Sequence, residues 1–439
     1  MTAATDRLVN YCNKRFDIPA SGSSVRREIV AGLTTFLAMV YIVVVNPAIL
    51  SEAGMDFGAV FVATCIAAAV GTLLMGLLAN YPIALAPGMG QNAFFTYAVV
   101  LGSGHPWQVA LGAVFLSGVI FILLSVLPVR EWLINAIPKN LKLGMSVGIG
   151  LFLAFIAMQN AGIVIDNPAT LVNVGKITNF APAAALAGFV VIVALTARRI
   201  PGAVIIGMLS VAAAGWLFGG AEFHGMLSAP PAVGPVFLQL DIAGAFNLSL
   251  ITVVLSLLLV DVFDTAGTMV GVATRGNLLT ADGKLPRLRR ALLADSGATL
   301  IGSLAGTSST TSFIESAAGV ESGGRTGLTA VTVGLLFLVC LLFAPLAQSI
   351  PPYASAAALL FVACVMARGL ADIDWNDLTE SCPAVVTALA MPLSFSIANG
   401  IGLGFMTYVG IKLISGRAGE CPLAVYLIAG IFAAKFVFL

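Results

Sequence analysis

Two stretches decide how the chain reads: "LAPGMGQNAFFTY", residues 85–97, and "LAGTSSTTSFIES", residues 304–316. They align without gaps at an offset of 219, half the chain length, with Leu85 matching Leu304, Ala86 matching Ala305 and Phe94 matching Phe313. Three identities are few. The stronger signal is that both halves place Gly, Pro, Ser and Thr at corresponding points of otherwise apolar sequence. Such runs are poor helix formers. Non-helical backbone carries N–H and C=O groups that lipid cannot satisfy, so these segments must be buried in protein or line a wet cavity. Each is expected to run extended first and to turn helical at "NAFF" and "SFIES". The two would pair as short strands, and their helix starts would offer free N–H groups to a ligand.

The surroundings are those of a membrane protein. Of 439 residues, 59% are hydrophobic and 9% charged, against roughly 25% charged in soluble domains. Mean hydropathy is +1.03. The lipid bilayer is therefore the first expected partner. A net charge of +1 offers no basic field, and no nucleic acid is expected. A spanning helix needs about 20 mostly apolar residues. Candidates lie near 28–50, 58–79, 84–101, 107–127, 140–160, 181–197, 202–218, 247–271, 288–304, 306–320, 325–347, 354–370, 383–414 and 421–438. The thirteenth holds Pro392 and Asn399-Gly400 and is expected to be interrupted. "REWLINA", residues 130–136, reads as an amphipathic piece at the interface.

Seven spans per half is an odd number, so the second half must be inverted relative to the first. The expected fold is an all-α polytopic membrane protein with 14 transmembrane segments in a 7+7 inverted repeat, with short extended stretches in spans 3 and 10. Inverted repeats with interrupted helices in matching places point to a secondary transporter whose site lies near the midplane. With the N-terminus inside, 17 of the 21 basic residues fall on inward segments. This places both termini in the cytoplasm, with a polar, basic segment at 1–27 that lacks the apolar core of a signal peptide.

Other chemistries find little support. The six cysteines form no Cys-x-x-Cys pair and read as packing residues. Glu222 and His224 share an exposed loop without a third ligand, so no metal or cofactor is expected. "GVESGGRTG" lacks the Gly-Lys-Ser/Thr ending of a phosphate loop. No nucleophile–base pair emerges, and an enzyme is not expected.

The acids at membrane depth carry the functional reading. Asp261 and Asp264 lie three residues apart after the apolar run Ile251 to Val260, hence on one helical face. Glu315 follows the irregular entry to span 10. An acid at a helix centre costs roughly 2.5–3.5 kcal/mol on insertion scales, and such residues mark pathways or proton relays. Asp295, close to Arg287 to Arg290, reads instead as a local ion pair near the inner interface. Carboxylates beside a wet cavity accept hydrogen bonds from neutral N–H groups and take up protons when desolvated. Two of them would repel an anion. The reading is a proton-coupled importer of small planar solutes rich in N–H. A channel or facilitator without coupling is the alternative.

At this depth the residues carry a resemblance. "TTFLAMVYIVVVNPAIL", "LANYPIALAPGMGQNAFFTY", "VDVFDTAGTMVGVA", "GTSSTTSFIESAAGVESGGRTGLTA" and "MPLSFSIANGIGLGF" resemble the AzgA-like purine permeases of the nucleobase/ascorbate–cation symporter superfamily. The resemblance implies a core domain, 28–127 and 247–347, and a gate domain, 128–246 and 348–439. It implies proton-coupled uptake of adenine, guanine or hypoxanthine across a bacterial inner membrane, and a homodimer. Uracil or xanthine would be the alternative cargo. By position, Asp264 and Glu315 match the acids that bind the nucleobase, Asn92 matches the asparagine of span 3, and Asp261 matches a second acid of the purine branch. Proton coupling would fall to Asp261, Asp264 and Glu315. Thr311 and Ser312 would supply backbone N–H groups, and Phe94 or Phe313 would cover a ring face. Where the family pattern reads Leu, this chain has Gln91, which adds an amide to the expected pocket.

Overall fold

The structure, a computed structural model, describes residues 3–126, 137–247, 250–280 and 285–438. The expected interfacial piece at 130–136 lies outside the described residues. Span 1 (Val25–Glu52) is two helices, Val25–Met39 and Ile42–Glu52, with a break at Val40 and Tyr41. Span 2 is Phe57–Ala79, span 4 Trp107–Val126, span 5 Lys139–Asn160, span 6 Phe180–Ala197 and span 7 Ala203–Phe218. In the second half, span 8 is Ile251–Arg275, span 9 Leu288–Ala305, span 11 Gly327–Gln348 and span 12 Pro352–Asp372.

Spans 3 and 10 are interrupted as expected. Span 3 is strand β1 (Leu85–Pro87) followed by helices Met89–Ala93 and Phe94–Gly102, the latter π-helical. An exposed hairpin that the sequence did not announce, β2 (Val164–Asn167) with β3 (Leu171–Val174), joins spans 5 and 6. Span 10 is β4 (Thr310–Ser312) followed by helix Ser316–Glu321. β1 and β4 pair antiparallel, Leu85 opposite Ser312 and Pro87 opposite Thr310. The structural register therefore differs from the gapless alignment. Leu304 and Ala305 still belong to span 9, Gly306 ends it at φ +99°, and the strand begins six residues later than the alignment implied. The helix after β1 also starts early, at Met89, so Asn92 lies inside it and does not cap it.

A two-stranded ribbon inside a membrane has two open edges. One threonine from each half closes them. The Thr72 hydroxyl of span 2 donates to Leu85 O and accepts from Leu85 N, each at 2.9 Å. The Thr299 hydroxyl of span 9 donates to Thr310 O at 3.0 Å and accepts from Thr310 N at 3.3 Å. Ser316 Oγ accepts from Ala84 N at 3.0 Å. Both threonines are fully buried.

The stretch expected to be one interrupted span, 383–414, is an antiparallel hairpin of two helices, span 13 (Leu378–Leu393) and span 14 (Ile397–Ile414). Phe395, at φ +52°, lies in the turn. The arms touch so closely that a Cβ on Gly404 would stand 1.7 Å from Thr387 Oγ1. At its open end, buried Lys412 is 2.9 Å from both Glu380 and Glu420. Outside the spans, the Thr379 hydroxyl and Arg417 hold the Asp377 carboxyl down at about 2. Spans 13 and 14 pack on span 5 as spans 6 and 7 pack on span 12. The fourteen segments of the 7+7 inverted repeat therefore close at Ile414. Helix Leu423–Phe438, expected to be the fourteenth, lies beyond the repeat against span 14.

Thr72→Val keeps the shape and orphans a buried N–H and a buried C=O, at about 1–3 kcal/mol for each group. The melting temperature of the detergent-purified protein should fall clearly in Thr72→Val and Thr299→Val and recover in the serine variants. Equal melting of the valine and serine variants would show that the hydroxyls do not close the ribbon.

Candidate functional site

The interrupted spans leave polar side chains around one cavity of about 920 Å³. Asp264 of span 8 and Glu315, at the start of the Ser316–Glu321 helix, both line it, with Thr311, Ser312 and Phe313 of span 10 and Gln91 of span 3. Asp264 and Glu315 are half-buried, each presenting part of its carboxylate to the cavity. The opposite wall is apolar: Ile149 of span 5, and Phe361, Val362 and Val365 of span 12. The cavity continues to the surface that carries Arg199, Arg275 and Arg368.

Tyr41, which the sequence reading passed over, completes the polar wall. It sits at the break in span 1, lines the cavity, and donates its hydroxyl to Glu315 Oε1 at 2.5 Å. That bond occupies one oxygen of the acid and fixes its plane. A phenol inside the run "VYIVVV" was the available signal.

Asp261 is fully buried and does not line the cavity. One oxygen accepts from Gln91 Nε2 at 3.4 Å, and the other, 3.2 Å from Thr299 Oγ1, shares that hydroxyl's single proton with Thr310 O. Asp295 does not stand at the interface as expected. It is fully buried and accepts from Thr265 Oγ1 at 2.8 Å and from Ser312 Oγ at 3.0 Å, bracing β4 against span 8. Its position one helical turn before Thr299 puts both residues on the face of span 9 that meets the ribbon.

Two expected contacts fall away. Asn92 and Phe94 are buried outside the cavity lining. Asn92 Oδ1 accepts from the Ser308 hydroxyl, which ties span 3 to the entry of span 10. Because the helix begins at Met89, residue 91 faces the cavity and residue 92 turns away from it.

The sequence profile of the permease family matches residues 26–403. The adenine permease AdeP of Escherichia coli is 47% identical over 97% of this chain and 95% of its own length. The guanine/hypoxanthine permease PbuO of Bacillus subtilis is 44% identical over 96% of this chain and 100% of its own. The chain belongs to this permease family, in its AzgA-like branch. The family consists of transporters, and the chain is a multi-pass membrane protein and not an enzyme. The transmembrane domain of the cyanobacterial bicarbonate transporter BicA superposes with a TM-score of 0.65 at 16% identity, covering 85% of this chain and 97% of that domain. That likeness speaks for the fold alone, the 7+7 inverted repeat.

In this permease the cavity opens to one face. Ala318 lines it on the Ser316–Glu321 helix, part-way to the arginine-bearing mouth. In a chain freed of its own reactive thiols, Ala318→Cys should react with a membrane-impermeant maleimide from the face of Arg199 and Arg368 only. Vesicles of the two orientations supply the measurement. Equal labelling from both faces would contradict a one-sided cavity.

Proposed function

We propose that this permease imports purine nucleobases (adenine, guanine or hypoxanthine) together with protons, by alternating access. The observation that carries the proposal is the meeting of Asp264 and Glu315 in one cavity. Carboxylates accept hydrogen bonds, and a purine edge presents ring N–H and, in adenine and guanine, amino groups to be accepted. The adenine and guanine/hypoxanthine specificities named for AdeP and PbuO support the same cargo. Of Phe94 and Phe313, Phe313 is the ring placed to cover a purine face, since Phe94 stands outside the lining.

Proton coupling follows from the same acids. A carboxylate shielded from water binds a proton more readily than one in water. Asp264 and Glu315 would exchange protons with the cavity, and Asp261 would do so behind it. The cavity opens toward the arginine-rich face, which the positive-inside rule makes cytoplasmic, so this conformation is inward-open. The amino-terminal segment then lies in the cytoplasm of a bacterial cell, and the permease in its inner membrane. Spans 1–4 and 8–11 form the core that carries the site. Spans 5–7 and 12–14 form the gate and, in this reading, the homodimer contact.

Radiolabelled uptake into cells tests the reading. Adenine, guanine or hypoxanthine should accumulate, and a proton uncoupler should abolish accumulation. Asp264→Asn and Glu315→Gln should each lower uptake by about tenfold or more, the loss of one hydrogen bond to a charged group. Accumulation of uracil or xanthine alone would overturn the purine assignment. Accumulation that survives the uncoupler would leave a facilitator. Tyr41→Phe should raise the KM about fivefold and leave the maximal rate within about twofold, because it frees Glu315 without discharging it. An unchanged KM would remove Tyr41 from the site.

A further inference from the structure

Asp261 is a buried acid without access to the cavity, and Gln91 stands between the two. The Gln91 amide is 1% exposed, lines the cavity, and directs Nε2 to Asp261 Oδ1 at 3.4 Å. Its Oε1 is buried and has no hydrogen-bond partner among the described residues. The amide rests in space that only a glycine leaves, for a Cβ on Gly88 would lie 1.7 Å from Oε1. A primary amide has one accepting end and one donating end. Whichever end Asp261 engages, the other is left without a protein partner, packed against Gly88 in the cavity wall.

We propose that Gln91 carries the protonation state of Asp261 into the cavity by turning its amide over. An ionised Asp261 only accepts, so it holds the NH2 group and leaves the carbonyl facing the ligand. A protonated Asp261 donates O–H to the carbonyl and leaves the NH2 facing the ligand. The wall of the site thus changes from acceptor to donor with one proton. A purine with an exocyclic amino group suits the first state, and one with an exocyclic carbonyl suits the second. This rests on the purine reading above. The charged groups facing Asp261 are Asp264, one turn along span 8, and Asp295 from span 9. They bias when Asp261 takes its proton. Gln91 determines what the ligand meets.

The test is equilibrium binding of adenine and hypoxanthine to the full-length protein in lipid nanodiscs, in mildly alkaline and mildly acidic buffer. Acidification should shift the affinity ratio about tenfold toward hypoxanthine, the exchange of one satisfied for one opposed hydrogen bond. The ratio should be independent of pH in Gln91→Leu and in Asp261→Asn. Gln91→Met serves as a second variant if Gln91→Leu melts early. A ratio constant in the parent protein, or a shift that persists in the Gln91 variants, overturns the inference and leaves the purine reading intact. Binding of neither purine overturns both.

Discussion

The structure depends on one requirement: backbone that leaves the helix inside a membrane must find every hydrogen-bond partner within the protein. Here the solution is symmetric. Two three-residue strands from the two halves satisfy each other across the middle, and Thr72 and Thr299 close the outer edges. A β-branched side chain is slightly unfavourable in a helix, yet each threonine sits on a long span facing a strand. A hydroxyl that both donates and accepts can serve an N–H and a C=O of the same strand residue. A carboxylate or an ammonium could serve only one of them.

That ribbon also determines where charge can stand. Asp261 and Asp295 need donors, and the donors come from residues that already hold the ribbon. Thr299 bonds both Thr310 and Asp261, while Ser312 of β4 donates to Asp295. The strand, the two supporting acids and span 9 therefore form one polar unit, in which removing any member leaves others unsatisfied. Asp264 and Glu315 face outward from this unit into the cavity. Tyr41 reaches Glu315 from the break in span 1, so both halves of the repeat contribute to one wall.

Much of this was legible in composition and position. Gly, Pro, Ser and Thr at matching places revealed the repeat, the strands and the broken spans, because few structures let such residues sit at membrane depth. The acids at 264 and 315 stood out for the same reason. The register was not legible. Leu85 and Leu304 look alike, but Gly306 ends span 9 and delays β4, so side chains that align do not face alike. The phase of span 3 was lost with it: a helix beginning at Met89 turns Gln91 to the cavity and Asn92 to Ser308. Asp295 was misplaced because its partners, Thr265 and Ser312, are distant in sequence while Arg287 to Arg290 are near. The hairpin at 394–396 was missed because Pro392 and Asn399-Gly400 read as an interruption within one span, whereas Gly400 and Gly404 let two separate arms meet.

The two walls of the cavity differ in kind, and the difference bears on how such a site could alternate. The polar wall is held by directional bonds that fix its strands and spans relative to one another, whichever way a single amide within it turns. The wall from spans 5 and 12 is apolar, and apolar contacts tolerate sliding because no donor is orphaned on the way. At one contact between the walls the first offers no side chain: a Cβ on Gly90 would stand 2.4 Å from Ile149 Cγ2. Backbone against a branched side chain is a smooth contact with no interlocking knob. Motion between the walls would therefore shear at Gly90 and Ile149 and leave the hydrogen bonds of the acid-bearing wall unbroken. The ligand would stay with that wall while its exposure changed.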